Sequence, residues 1–210
     1  MTISYPLTLP TASGIARVNL RAVNAVAITE SPFTFKQQVV QHSGQRWEAE
    51  VTMPPMQRAD AEEWISFLLS LNGVKGTFLL GDPNAATPRG TASATPGTPL
   101  VNGADQTGET LTIDGLPTSE TGYLKAGDYI QIGGGSAATL HKVLVDVDTN
   151  VLGQATLDIW PYIRTAPADG ATVVVSSAKG LFRLSTNQTD WSINEAAFYG
   201  VTFAAIEAIV

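Results

Sequence analysis

Apolar and polar residues alternate with a period of two along most of this chain. In RWEAEVTM, residues 46–53, Trp47, Ala49, Val51 and Met53 fall on one side and Glu48, Glu50 and Thr52 on the other. ARVNLRAVNAVAI (16–28) repeats the pattern through Ala16, Val18, Leu20 and Ala22, and SPFTFKQQVV (31–40) through Phe33 and Phe35. Alternation of this kind predicts strands with one face on a core and one in water, as in antiparallel sheet.

One stretch breaks the period. In DAEEWISFLLSLNG (60–73), Ala61, Trp64, Ile65, Leu68 and Leu71 recur at i, i+3 and i+4, which predicts a helix over 60–72 with one apolar face. Asp60 is placed to cap its first turn, with Glu63 reaching back, and Gly73 to end it in a left-handed conformation. Glu62 and Ser66 lie on the opposite side, toward solvent or a neighbouring subunit. The helix reads as a cover over one sheet face, anchored by Trp64 and Leu68.

After the short apolar strand of GTFLLGDP (76–83), the composition changes. Residues 84–108 consist largely of Ala, Thr, Pro and Gly and read as a linker or long loop. A second strand series follows: ETLTIDGL, KAGDYIQIGG, HKVLVDVD, GQATLDIW and GATVVVSS. Turn residues separate these strands at the spacing of a small barrel or sandwich. The aromatic-rich end, with Phe182, Trp191, Phe198, Tyr199 and Phe203, matches the first section better than the middle.

The expected fold is therefore mainly β with one helix. A discontinuous α+β outer domain, 1–84 plus 178–210, combines an antiparallel sandwich or barrel with helix 60–72. An all-β barrel, 85–177 with 85–108 linker-like, is inserted into it. Trp47, Trp64, Leu68 and Trp191 are the expected structural core.

Net charge is −7 and the chain lacks cysteine. The first excludes a nonspecific grip on nucleic acid or anionic membrane; the second excludes disulfides and thiolate metal sites. No signal peptide is evident at the start, no window approaches a membrane span, and synthesis in a cytoplasm is expected.

The search for chemistry finds fragments only. Gly133, Gly135 and Ala138, with Asp158 beyond, spell a dinucleotide-binding turn, yet Val143, Val145 and Val147 predict a strand where that motif needs a helix. Around Ser136 the sequence falls one residue short of a nucleophile elbow, and its only candidate bases are His42 and His141. Asp146, Asp148 and Asn150 start like a calcium loop that fails at Val151 and Leu157. Glu62 with Glu63 and Glu48 with Glu50 are not arranged as acid–base pairs. Asn187 begins a sequon that reads as turn chemistry. No catalytic, cofactor or metal residue is assigned, and no enzyme activity is expected. Trp160 and Tyr162, flanking Pro161 and alternating opposite Leu157 and Ile159, are left either as sugar-stacking aromatics or as packing against the outer domain.

The run from WEAEVTMPPM through DAEEWISFLLSLNGVKGTFLLGDP resembles a stretch that recurs in minor tail proteins of siphophages. There, a Trp-bearing acidic strand leads through a proline turn to a helix with an inward Trp, then to a Gly turn and a Phe strand. LKAGDYIQIGGG, the ATLDIWPYIRTAPADGATV hairpin, KGLFRL and the C-terminal aromatic strand look similar to the same class. Within it the match is to the distal tail protein family.

That resemblance implies a virion protein that assembles into a hexameric ring between tail tube and tail tip or baseplate. Its partners would be the tail tube protein, the tail hub and other tail-tip proteins. An inserted, often OB-like barrel would project outward, and DNA would pass through the channel without being specifically bound. A carbohydrate- or receptor-binding tail module is the alternative.

Overall fold

The structure, a computed structural model, describes residues 3–11 and 14–209. It is mainly β, with 41% of residues in strands and one α-helix among the described residues. The strands form two antiparallel sheets, each with its own hydrophobic cluster.

The first sheet is built around β1 (Arg17–Glu30), β2 (Gln37–Thr52), β3 (Phe78–Leu80), β10 (Gly180–Leu184), β11 (Trp191–Ile193) and β12 (Tyr199–Glu207). Its order is β1-β2-β12-β10-β3, with β11 paired to the start of β12. Ends of the chain and its first third thus meet in one sheet. In the second half of β2, Gln45, Trp47, Ala49, Val51 and then Met53 are buried in strict alternation, as one covered face requires. The two strands read from 31–40 and 46–53 are one continuous strand, and residues 31–36 form the turn into it.

Helix α1 (Arg58–Ser70) lies on the covered face and brings Trp64, Phe67 and Leu68 against Phe78, Phe182 and Phe203. Across the contact Phe67 meets Phe78 edge-on at 5.5 Å and Trp64 meets Phe203 at 6.3 Å. The helix begins two residues before Asp60. Gln57 is its N-cap and makes no side-chain capping bond, so the expected capping box does not form. Asp60 sits inside the first turn, where its charge still favours the helix dipole. At the other end Asn72 and Gly73 both take left-handed φ, 51° and 66°.

The second sheet comprises β4 (Leu100–Val101), β5 (Gly108–Asp114), β6 (Tyr129–Ile132), β7 (Thr139–Val143), β8 (Ala155–Ile163) and β9 (Val173–Val174). Its order β4-β5-β8-β7-β6-β9 almost closes on itself. A bridge from Leu100 to Thr172 and the bonds Val101 N–H to Ala171 and Val173 N–H to Pro99 join the two ends. Leu111, Ile113, Ile130, Val143, Leu157 and Ile159 fill the interior.

Residues 85–108 are not a loose linker along their whole length. Ala92 and Val101 are buried in the barrel cluster. Thr91 and Ala92 donate backbone N–H groups to Gly122 and Tyr123, and Tyr123 donates its hydroxyl to Pro96. A side chain at Gly90 would collide with the backbone oxygens of Gly122 and Tyr123. Small residues here serve close approach of two backbones.

Candidate assembly surface

The β1–β2 pair continues well beyond the sheet that buries it. Up to Asn24↔Gln45 the ladder is regular, and it resumes at Val26↔Gln41. Ala25 alone therefore faces His42, Ser43 and Gly44, a bulge that bends the ribbon. Past the bulge, every residue of the hairpin from Asn24 to Gly44 except Ser31 is exposed. Val26, Ile28 and Val39 share one face of this arm, and Ala27 and Val40 the other. At its tip Phe33 is 92% and Phe35 73% exposed. Apolar side chains on both faces and a pair of aromatic rings at the end are more than scattered surface residues; contiguous patches of this kind mark interaction sites.

A second apolar surface lies at the far end of the same sheet. Trp191, placed in the core by its sequence, is 40% exposed and is joined by exposed Ile193 and Phe198. The reason is positional: β11 pairs with residues 199–201 of β12, beyond the stretch 202–206 that pairs with β2. β2 spans Gln37–Thr52, about 50 Å at roughly 3.3 Å per residue, so the arm tip and the Trp191 surface are at opposite ends. β1 is the outer strand and leaves one edge without a strand partner among the described residues. The other edge, β3, is covered by Leu7 through two backbone bonds with Thr77 and Leu79.

Where the arm leaves the sheet, the barrel is clamped to it. Alternation along β8 buries Leu157 and Ile159 inward and turns Trp160 and Tyr162 toward the first sheet. Trp160 meets Trp47 edge-on at 4.5 Å and donates its indole N–H to Asn24 Oδ1 at 2.8 Å. Trp47 in turn donates its indole N–H to the Leu140 carbonyl. Tyr162 donates its backbone N–H to Gln45 Oε1, and its hydroxyl accepts from Gln41. Arg164 forks onto Glu207 at 2.9 and 3.0 Å and also donates to the Gln45 carbonyl. Both aromatics are engaged at this seam.

His141 is enclosed in the same seam. Its Nδ1 lies 2.8 Å from the Pro161 carbonyl, which can only accept, so Nδ1 carries the proton and Nε2 accepts from the Thr139 hydroxyl at 2.9 Å. Burial pushes its pKa down to about 4, partly opposed by the Pro161 bond and by Glu207. The unfolded imidazole titrates near 6.5. The unfolded chain therefore binds more protons between these values. The stabilisation is complete above pH 6.5 and is lost as pH falls through about 4, on the order of 3 kcal/mol in all. Melting temperature followed from pH 7 to 4 should show that loss, and His141→Gln should remove most of the slope.

The chemical fragments stay apart. Gly133 to Ala138 form a turn that enters strand β7, without the helix that a pyrophosphate site or a nucleophile elbow needs. Ser136 is exposed on that turn, His42 is exposed in the arm's bulge, and Asp158 is exposed on β8. Asp146 accepts from Ala126 N–H and Lys125, which hold its carboxyl below the usual range, and Asp148 accepts from Gly122 N–H. Among the described residues no group of three or more His, Asp or Glu is arranged to hold a metal ion. Trp47, Trp64 and Leu68 are buried.

A scan against protein-family models finds no match for this chain, and a sequence search of curated proteins finds none either.

Proposed function

We propose that the chain is a ring-forming structural component of a siphophage tail, a distal tail or tail-tip protein that joins the tail tube to the tip or baseplate and leaves a channel for DNA. The observation that carries this reading is the apolar arm between Asn24 and Gly44. The Trp191 surface supports it: two unlike apolar surfaces at opposite ends of one sheet are what a head-to-tail contact needs, and such contacts make a ring where the rotation from copy to copy closes. A self-complementary dimer would need only one. The resemblance described above supplies the tail, the hexamer and the OB-like character of the inserted barrel. At −7 per copy, six copies carry 6 × −7 = −42 formal charges, and a lumen that shares this charge lets DNA slide past without holding it.

Val26→Glu with Ile28→Glu tests the arm. Both side chains are exposed in the isolated chain, so its melting temperature should change little. Sedimentation velocity should show the assembled species reduced at least tenfold. Unchanged assembly would remove the arm from the interface.

A further inference from the structure

Two edges of the first sheet stay open among the described residues. β1 is the outer strand on one side. On the other side β3 covers β10, but it reaches only Gly180–Phe182, and every residue from Asp190 to Phe198 is exposed. An open edge carries a row of unpaired N–H and C=O groups, a template for another extended strand. Proteins that stay single blunt such edges with lysine, proline or a bulge. From Val18 to Thr29, β1 has neither lysine nor proline, and the extra residues of the bulge lie on β2. We infer that β11 of a neighbouring copy adds antiparallel to the first half of β1, with Trp191 opposite Leu20 and Ile193 opposite Val18.

Three observations choose β11 of a second copy as the occupant. Direction comes first. β1 runs antiparallel to β2, β2 to β12, and β12 to β11, so β1 and β11 run opposite ways. Rotation about an axis along the strands preserves those directions, and it sets β11 of one copy antiparallel against β1 of the next.

The faces agree as well. Trp191 pairs with Val201 and Ile193 with Tyr199, both packed in the core under the helix, so both stand on the helix side. Val18 and Leu20, opposite Val51 and Ala49, stand on that same side and are only half-buried. Directly opposite residues share a face and touch, so this register covers Trp191 and Ile193 with the two side chains that the open edge leaves half-covered. It also sets Asp190 opposite Arg21 on the other face. Arg21 holds Glu50 through one nitrogen at 3.2 Å and is 59% exposed at its side chain, and a guanidinium has donors for a second carboxylate.

The offset is the third observation. Within one copy Trp191 lies level with Ala16, through Val201 and Met53. Pairing with Leu20 instead shifts the neighbour by four residues for the four strand positions that each copy spans from β1 to β11. That is about 13 Å along the strands for about 19 Å across them, a tilt of about 35°, which is the tilt of closed barrels.

This inference rests on the ring reading and gives the Trp191 surface its counterpart.

Opposite residues of an antiparallel pair have Cα atoms about 4.5–5.5 Å apart, within disulfide reach, and the chain has no cysteine of its own. Chains carrying Asn19→Cys are mixed with chains carrying Ser192→Cys and oxidised. Linked pairs holding one chain of each kind are expected at least tenfold above self-pairs of either variant. The double variant should give linked species of up to six chains, because β2 and β12 stand between the two positions within one chain. An excess of Asn19→Cys self-pairs would mean that β1 meets β1 about a two-fold axis, and would overturn the inference. Mixed pairs no more abundant than self-pairs would overturn it too; closed oligomers in native mass spectra of the parent chain would then leave the ring reading standing. Mixed pairs in excess, with double-variant species that stop at two chains, would uphold the pairing of β11 with β1 and sink the ring. Melting curves of both variants should overlay the parent curve, since Asn19 lies opposite exposed Glu50 and Ser192 is itself exposed.

Discussion

Trp64→Ala should lower stability by about 3–5 kcal/mol, the range for deleting a large buried aromatic side chain. The indole is fully buried, with Phe67 of the same helix at 6.0 Å and Phe203 of β12 at 6.3 Å. Collapse around the hole is limited because its ring neighbours, Phe67 on the helix and Phe203 on β12, are themselves packed in the core. Trp64 also buries an indole N–H without a hydrogen-bond partner among the described residues. An orphan donor of this kind costs about 1–3 kcal/mol. Trp64→Phe removes that donor while keeping most of the packing, so its loss should be less than half that of the alanine variant. Urea denaturation of the three proteins measures both numbers. A neutral alanine variant would mean that the helix does not hold the sheet.

Arg164→Met is the second large effect, again about 3–5 kcal/mol, the range for removing one member of a buried pair. Glu207 is 5% exposed at its side chain and Arg164 22%, so the carboxylate left behind has little water to turn to. Glu207 also accepts the Trp47 backbone N–H at 3.0 Å, which ties the C-terminal strand to β2 at the arm's root. Adding Glu207→Gln removes the charge and keeps an acceptor for Trp47. The double variant should therefore be more stable than Arg164→Met alone. If the second change lowers stability further, the uncompensated charge is not what made the first one costly. Thermal melts of parent, single and double variants decide it.

How legible these features were depends on whether their cause lies within the chain. Alternation over 46–53 and 155–163 marks strands that a core covers on one side, and the i, i+3, i+4 run marks the helix, because burial by the chain's own residues imposes both periods. Helix start was less legible: Asp60 and Glu63 have the right spelling for a capping box, but the proline turn ends early enough for Arg58 to begin the helix. The segment 85–101 looked loose because it lacks bulk, whereas Gly90 and Ala92 are small so that it can lie against the Tyr123 backbone.

Trp191 and the arm were read wrongly for a common reason. Hydrophobicity says that a side chain is to be buried, not which molecule buries it. A signal was present at the arm: Val26, Ala27 and Ile28 are apolar in succession, with Val39 and Val40 opposite, so period two is lost where neither face is covered by its own domain.

The central claim is the ring, and native mass spectrometry of the full chain, with negative-stain images of the same sample, tests it most directly. The account predicts a closed species of 6 × 22.1 kDa, about 133 kDa, seen end-on as a ring with a central hole. A chain that stays monomeric, or that stops at two-fold dimers without a channel, would contradict it.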